Sequence, residues 1–216
     1  RATIQRHLLP VFMTWLGHGA DPDLGLLNFR TLSERIGDSH WYLSLLRDSG
    51  LAASRLCELL PSSRWVASAL AELPEAVQWL DGDEQLKARD RQRLINEVDA
   101  LISRHSDTEQ AMWRVQAVRV REVTRAALGG ALAHVAPVRT AIADASDVAL
   151  HGALTIAPRQ WSSEHADAQP PRLAFVAMRS YGGRESSLMS DADIIAVHEG
   201  DAGAAVDITM RVKKLL

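Results

Sequence analysis

Between residues 158 and 172 the apolar residues of this chain change their spacing, and that change limits what the chain can fold into. Upstream they recur at intervals of three and four, the pattern of helices with one buried face. Leu8, Leu9, Val11, Phe12, Trp15 and Leu16 form the first such stripe, which ends near Gly17 and Gly19. Asp21 and Pro22 then read as the N-cap and first residue of a helix closed by Gly37. "HWYLSLLRDSG", "LAASRLCELLP", "SRWVASALAELP" and "EAVQWLDG" follow as short helices stopped by glycine or proline, and one long charged helix spans 83–105. Ser106 and Glu109 suit a capping box for the next helix, with the pair Gly129 and Gly130 ending it. "HVAPVRTAIADASDVALHGALTIA" places Val138, Ile142, Ala145, Val148, Ala149 and Gly152 on one face. The unequal helix lengths predict a helical array, not a linear repeat.

After Pro158 the texture is polar and proline-marked, up to Pro170 and Pro171, as in a linker. "RLAFVAM" and "IIAVHE" are apolar runs of strand length separated by a polar loop, and "AAVDITMRVKKLL" closes the chain as a helix. The expected fold is mainly α: a helical domain over 1–158, a linker over 159–171, and the beginning of an α/β (α+β) unit over 172–216. The chain opens on Arg1 inside what reads as a helix and ends on a helical stripe without a stop signal. It therefore reads as a piece of a longer protein.

Composition narrows the function classes. Hydrophobic residues at 47% and charged residues at 24% are those of a globular domain with a real core. A net charge of −3 argues against a broad nucleic-acid footprint, which needs clustered Lys and Arg. No apolar run approaches a membrane span. The single cysteine, Cys57, has no partner for an intrachain disulfide and reads as a small core residue, which fits a reducing cytoplasm.

The chemistry concentrates in "FVAMRSYGGRESSLMSDADIIAVHE", residues 175–199. Asp191 and Asp193 are two apart, so on an extended strand both carboxylates project to one face, roughly 6–7 Å apart at their Cα atoms. Two hard oxygen ligands at that span can hold one or two Mg²⁺ ions, as phosphoryl and nucleotidyl transfer requires. Gly182 and Gly183 follow the first strand, with a helical turn expected at "GRES", and glycine lets backbone N–H groups come close to a phosphate. Acidic residues at this spacing are also common where a turn meets a strand, so on the residues alone both readings stand.

Taken whole, residues 177–193 resemble the signature of the polymerase-β-type nucleotidyltransferase superfamily, and in particular that of bacterial glutamine synthetase adenylyltransferases. That pattern runs glycine, any, glycine, basic, leucine, glycine, glycine, any, glutamate, leucine, three variable residues, then serine, aspartate, any, aspartate. Gly182, Gly183, Glu185, Ser190, Asp191 and Asp193 match it, whereas Ala177, Arg179, Ser180, Tyr181 and Ser186 depart from it. "RATIQRHLLPVF", "GADPDLGLLNFRTLSERIGDSHWYLSLLRDSG" and "RVREVTRAAL" are similar to the helical tract leading into that family's C-terminal, adenylylating half.

The resemblance implies Mg²⁺-dependent transfer of AMP from ATP to a tyrosine of glutamine synthetase, with adenylyl removal in the full-length protein, as a cytoplasmic control on nitrogen assimilation. It implies that Asp191 and Asp193 are the catalytic, metal-holding carboxylates. Nucleotide-side positions fall at Arg179, Ser180, Gly182, Gly183 and Ser190. Partners implied are glutamine synthetase and a nitrogen signal protein of the PII type, with no nucleic acid and no membrane. A third carboxylate belongs on a later strand and has no match before Leu216, so the chain alone is expected to be catalytically incomplete.

Two other readings are weighed beside this one. One is a docking module that binds glutamine synthetase or a signal protein, with an altered glycine loop; the other is a nucleotidyltransferase with another acceptor. Arg119, Arg121, Glu122 and Arg125 read first as a solvated helix face and second as a source of a phosphate-facing arginine. His40 and His198 read as a helix start and a surface residue. The six tryptophans read as core or helix-interface residues.

Overall fold

The computed structural model describes residues 2–37, 39–132 and 138–216, with side chains from residue 8 onward. The helices are α1 (Ala2–Gly17), α2 (Pro22–Ile36), α3 (His40–Asp48), α4 (Gly50–Leu59), α5 (Arg64–Glu72), a 3-10 helix (Pro74–Asp81), α6 (Asp83–Leu86), α7 (Arg91–Arg104), α8 (Thr108–Ala131) and α9 (Val138–Glu164). There follow strand β1 (Arg172–Ala177), a single turn α10 (Arg179–Gly182), strand β2 (Ile194–Glu199) and α11 (Ala202–Leu215). The mainly helical architecture with a small sheet at its C-terminal end is the one expected.

Contacts divide the chain into two units, Arg1–Ala88 with Thr124–Val138, and Arg89–Val123 with Arg139–Leu216. In the first, α1 packs on α2, α3 and α4, and α4 on the 3-10 helix. Its core holds Phe12, Leu32, Tyr42, Leu56, Leu70 and Leu80, all essentially sealed from solvent. Arg55 is buried in this unit and donates to the Leu80 carbonyl at 3.0 Å while pairing with the exposed Asp83, so its charge is answered by a carboxylate at the surface.

In the second unit, Leu94 and Val98 of α7, Met112 and Val115 of α8, Val148, Ile156 and Trp161 of α9, and Ile208 and Val212 of α11 share one core. The two strands pair antiparallel, with Arg172 opposite Glu199 and Ala177 opposite Ile194. Residues on β1 alternate between exposed and half-buried, and Leu173 and Phe175 rest against the helical core. Their face of the sheet is thereby covered on its β1 side, while Ala196 and His198 of β2 stay exposed. The other carries Val176, Ile195 and Val197, each about half exposed (48%, 51% and 51%).

Several boundaries differ from the sequence reading. The charged helix expected over 83–105 breaks after Leu86 and restarts at Arg91, because the Asp90 side chain caps the new start by accepting from Arg93 N at 3.1 Å. Asp107, not Ser106, caps α8, accepting from Glu109 N at 2.9 Å. Gly129 and Gly130 lie inside α8; a Cβ at Gly130 would stand 2.5 Å from Val138 Cγ2, so close packing explains a glycine there. Pro158 lies inside α9, whose buried face continues through Ile156, Ala157 and Trp161. The helix thus runs six residues past the boundary expected at 158, and the non-helical stretch before β1 is 165–171. The start expected at His134 for this helix lies outside the described residues.

Candidate functional site

β1 delivers the chain to a tight turn, and β2 leads it away. The β1–β2 ladder reaches one step past both strands, since Met178 N donates to the Asp193 carbonyl at 2.9 Å. At Arg179 the backbone leaves the strand with φ of +49°, in the left-handed region that glycine favours. Gly182 N then donates to Met178 O and Gly183 N to Arg179 O, each at 2.8 Å. The turn therefore lies at 179–182, earlier than the expected "GRES".

The glycine amides are spent within this turn and do not face outward as phosphate donors. Gly182 is instead required by proximity. A Cβ there would collide with the Ala177 carbonyl, whose carbon lies 2.8 Å from the Cβ position. Both glycines are exposed.

β2 begins at Ile194, so Asp191 and Asp193 stand just ahead of the strand instead of within it. The reason is the length of the partner: β1 ends at Ala177, opposite Ile194, and the chain beyond Met178 is already turning. Ala192 and Ile194 line a small cavity of about 160 Å³ with Arg119 and Tyr181. Asp191 and Asp193 occupy the alternate positions, and both are exposed. Arg179 Nε lies 3.8 Å from Asp193 Oδ2, with both side chains in solvent. Ser190 Oγ accepts from Ser187 N at 2.9 Å and lies 2.8 Å from Ser187 Oγ, closing the loop that leads into the acidic pair. Ser180 is partly buried, and its carbonyl accepts from Glu185 N at 2.7 Å.

The turn is also held from beneath by α9. The Tyr181 hydroxyl donates to Asp147 Oδ1 at 2.7 Å, Arg184 Nη1 donates to Asp147 Oδ2 at 3.2 Å, and Arg184 also pairs with Asp144. Arg91 of α7 donates to Asp147 Oδ2 at 2.8 Å. Burial first, and then the bond to Asp147, push the Tyr181 phenol well above its ordinary range, so it stays a donor. Sequence reasoning did not find Asp144 and Asp147. Their i,i+3 spacing on one helix face was a signal, but nothing local connects them to residues 181–184.

The family model for glutamate-ammonia ligase adenylyltransferase matches residues 53–213. The chain belongs to this family. The bifunctional glutamine synthetase adenylyltransferase/adenylyl-removing enzyme of Leifsonia xyli subsp. xyli is 43% identical over 202 residues, covering 91% of this chain and 19% of that protein. The proteins of the same name from Streptomyces coelicolor and Cutibacterium acnes are 39% and 37% identical, covering 95% and 99% of this chain and 22% of each protein. The chain spans about a fifth of the length of the curated relatives it matches.

Within this adenylyltransferase-family chain, other sequence candidates resolve differently. The arginine-rich face of α8 is not a solvated one. Glu122 and Arg125 are buried; Arg121 donates twice to Glu97, each at 2.9 Å, and once to Glu122 at 2.8 Å. Arg125 lies over the Trp79 ring at 4.1 Å and donates to the Gln85 carbonyl. Arg119 alone of that group lines the cavity under Ala192. His40 begins α3 as expected, and His198 is an exposed residue opposite Leu173. Trp113 departs from the core reading: it is 64% exposed, with Arg114 over its ring at 5.2 Å. Among the described residues no group of three or more His, Cys, Asp or Glu could hold a metal ion, and no helix is long and apolar enough to cross a membrane.

Proposed function

We propose that this chain carries the metal- and nucleotide-facing part of an ATP-dependent adenylyltransferase whose acceptor is a tyrosine of glutamine synthetase. The observation that carries this reading is the pair Asp191 and Asp193, both exposed where the chain enters β2, in a family whose relatives are named for that activity. Two exposed carboxylates suit Mg²⁺, which is held through one or two protein carboxylates with water and substrate phosphates filling its other positions. When bound, Mg²⁺ supplies charge neutralisation for the triphosphate and the departing pyrophosphate.

The chain's own residues divide the remaining work. Asp191 and Asp193 hold the metal side. Arg179 and Ser180 face the phosphates, Gly182 and Gly183 leave that surface bare, and Ser190 fixes the approach to the acidic pair. In the reaction the acceptor hydroxyl oxygen bonds to the α-phosphorus, the bond to pyrophosphate breaks, and the hydroxyl proton passes to a base or to water. The 172–216 segment begins the nucleotidyltransferase unit, the non-helical 165–171 stretch leads into it from α9, and the helices upstream carry it against a large protein substrate. Adenylyl removal, a PII-type signal protein and a cytoplasmic setting complete the proposal for the full-length protein.

The test uses the full-length protein with labelled ATP and glutamine synthetase. Asp191→Asn and Asp193→Asn are each expected to lower label transfer by about a hundredfold or more while the fold is retained. Unchanged transfer in both variants refutes the metal roles. A second reading, a docking module with an impaired site, is favoured by one contact: the Arg179 guanidinium stands where it competes with a cation for Asp193. Full-length wild-type protein that binds glutamine synthetase without transferring label would select that reading.

A further inference from the structure

We propose that Asp147 is a positioning residue for the nucleotide turn, holding Arg179 and Ser180 beside Asp193 through its contacts with Tyr181 and Arg184. The inference rests on the nucleotide-handling reading above and deepens it. It begins from the strain in the turn. Both Arg179 (φ +49°) and Arg184 (φ +58°) are left-handed, a conformation that residues with a Cβ hold only where their surroundings over-determine it.

The surroundings here are specific. Tyr181 is buried in the middle of α10, with its hydroxyl on Asp147 Oδ1. Arg184, at the far end of the turn, reaches Asp147 Oδ2 and Asp144. Arg91 meets the same carboxylates from α7, Nε to Asp147 at 2.8 Å and to Asp144 at 3.9 Å. Two acids and two arginines leave the cluster neutral. Asp147 alone accepts from three separate groups, and its side chain is only 18% exposed.

The path from this cluster to the proposed site is short. Tyr181 and Arg184 bracket Gly182 and Gly183, whose amides close the turn onto Met178 and Arg179. Met178 N is bonded to the Asp193 carbonyl. A loosened Tyr181 therefore frees the turn that presents Arg179 toward Asp193. The ligand class concerned is a nucleoside triphosphate, whose phosphates need a cation and bare backbone at a fixed distance from the acidic pair.

The experiment compares Asp147→Asn and Tyr181→Phe in the full-length protein, with the Asp191 and Asp193 variants as references. Without nucleotide, amide exchange at Gly182 and Gly183 is expected to quicken by about tenfold in Asp147→Asn, with α11 amides unchanged. With Mg²⁺ and ATP, KM for ATP is expected to rise by about fivefold or more and kcat to fall less, with Tyr181→Phe smaller in the same direction. The double variant should fall short of the sum, because both changes break one contact. If Asp147→Asn does not fold, Tyr181→Phe, which removes one oxygen, carries the same comparison. A lowered melting point with unchanged KM and unchanged glycine exchange makes Asp147 merely structural and overturns the inference, even where Asp191→Asn and Asp193→Asn abolish transfer. If those two leave transfer untouched, it is the underlying reading that falls.

Discussion

Replacing Arg179 by glycine and, separately, by alanine isolates the cost of the left-handed backbone. Both changes remove the guanidinium, so its contact with Asp193 cancels in the comparison, and that contact is small for a pair this exposed. A left-handed residue with a Cβ is disfavoured by about 1–2 kcal/mol. Glycine escapes that term but loses about 0.4–1 kcal/mol through the greater freedom of its unfolded chain. The difference predicts Arg179→Gly to be more stable than Arg179→Ala by about 0.5–1 kcal/mol. At an ordinary helical position the order is reversed, glycine being worse by about 0.5–1 kcal/mol. Urea unfolding of the two variants, followed by fluorescence with m-values shared, reads the sign directly. Alanine equal to or better than glycine would refute both the strain and the explanation of why the family pattern has glycine at this point.

The remaining predictions concern packing and pH. Gly182→Ala is expected to destabilise by about 1–3 kcal/mol in urea unfolding, since the Cβ must displace the Ala177 backbone; a cost under about 0.5 kcal/mol would show that the turn yields freely. Burial pushes the Cys57 thiol up to about 12, so native protein should resist thiol reagents at pH 8 and react only on unfolding. The linkage sign follows: the unfolded thiol loses its proton near about 8.5 and the native one does not, so unfolding is favoured as pH rises between about 9 and 12. Cys57→Ala should flatten that decline by up to about 1.4 kcal/mol per pH unit, and an unaltered slope would contradict the assignment.

Local chemistry was legible wherever it decided the outcome. Asp21 caps α2 through Leu24 N at 2.9 Å with Pro22 in the first turn, and both apolar runs after residue 171 became strands. Punctuation by glycine and proline misled wherever a distant contact overrode it. Gly130 is small because Val138 approaches, and Pro158 is carried through by the buried face around it; Gly152, which the spacing already places on that face, is buried with Val115 Cγ1 2.7 Å from where its Cβ would lie. At the candidate site, the acidic pair and the glycine pair were visible as residues. The grip of Asp147 on Tyr181 and Arg184 was not, because it joins positions 34 and 37 residues apart in the chain.

The bare side of the β1–β2 ribbon has a practical consequence for mutagenesis. Val176, Ile195 and Val197 give up little buried area when replaced, so polar substitutions there should pass any screen that selects on folding or expression of this chain. Tolerance in such a screen would report only that these side chains do not support the core beneath them. Variants at the three positions must therefore be ranked by catalytic or binding assays, and a library sorted by yield alone would enrich them blindly.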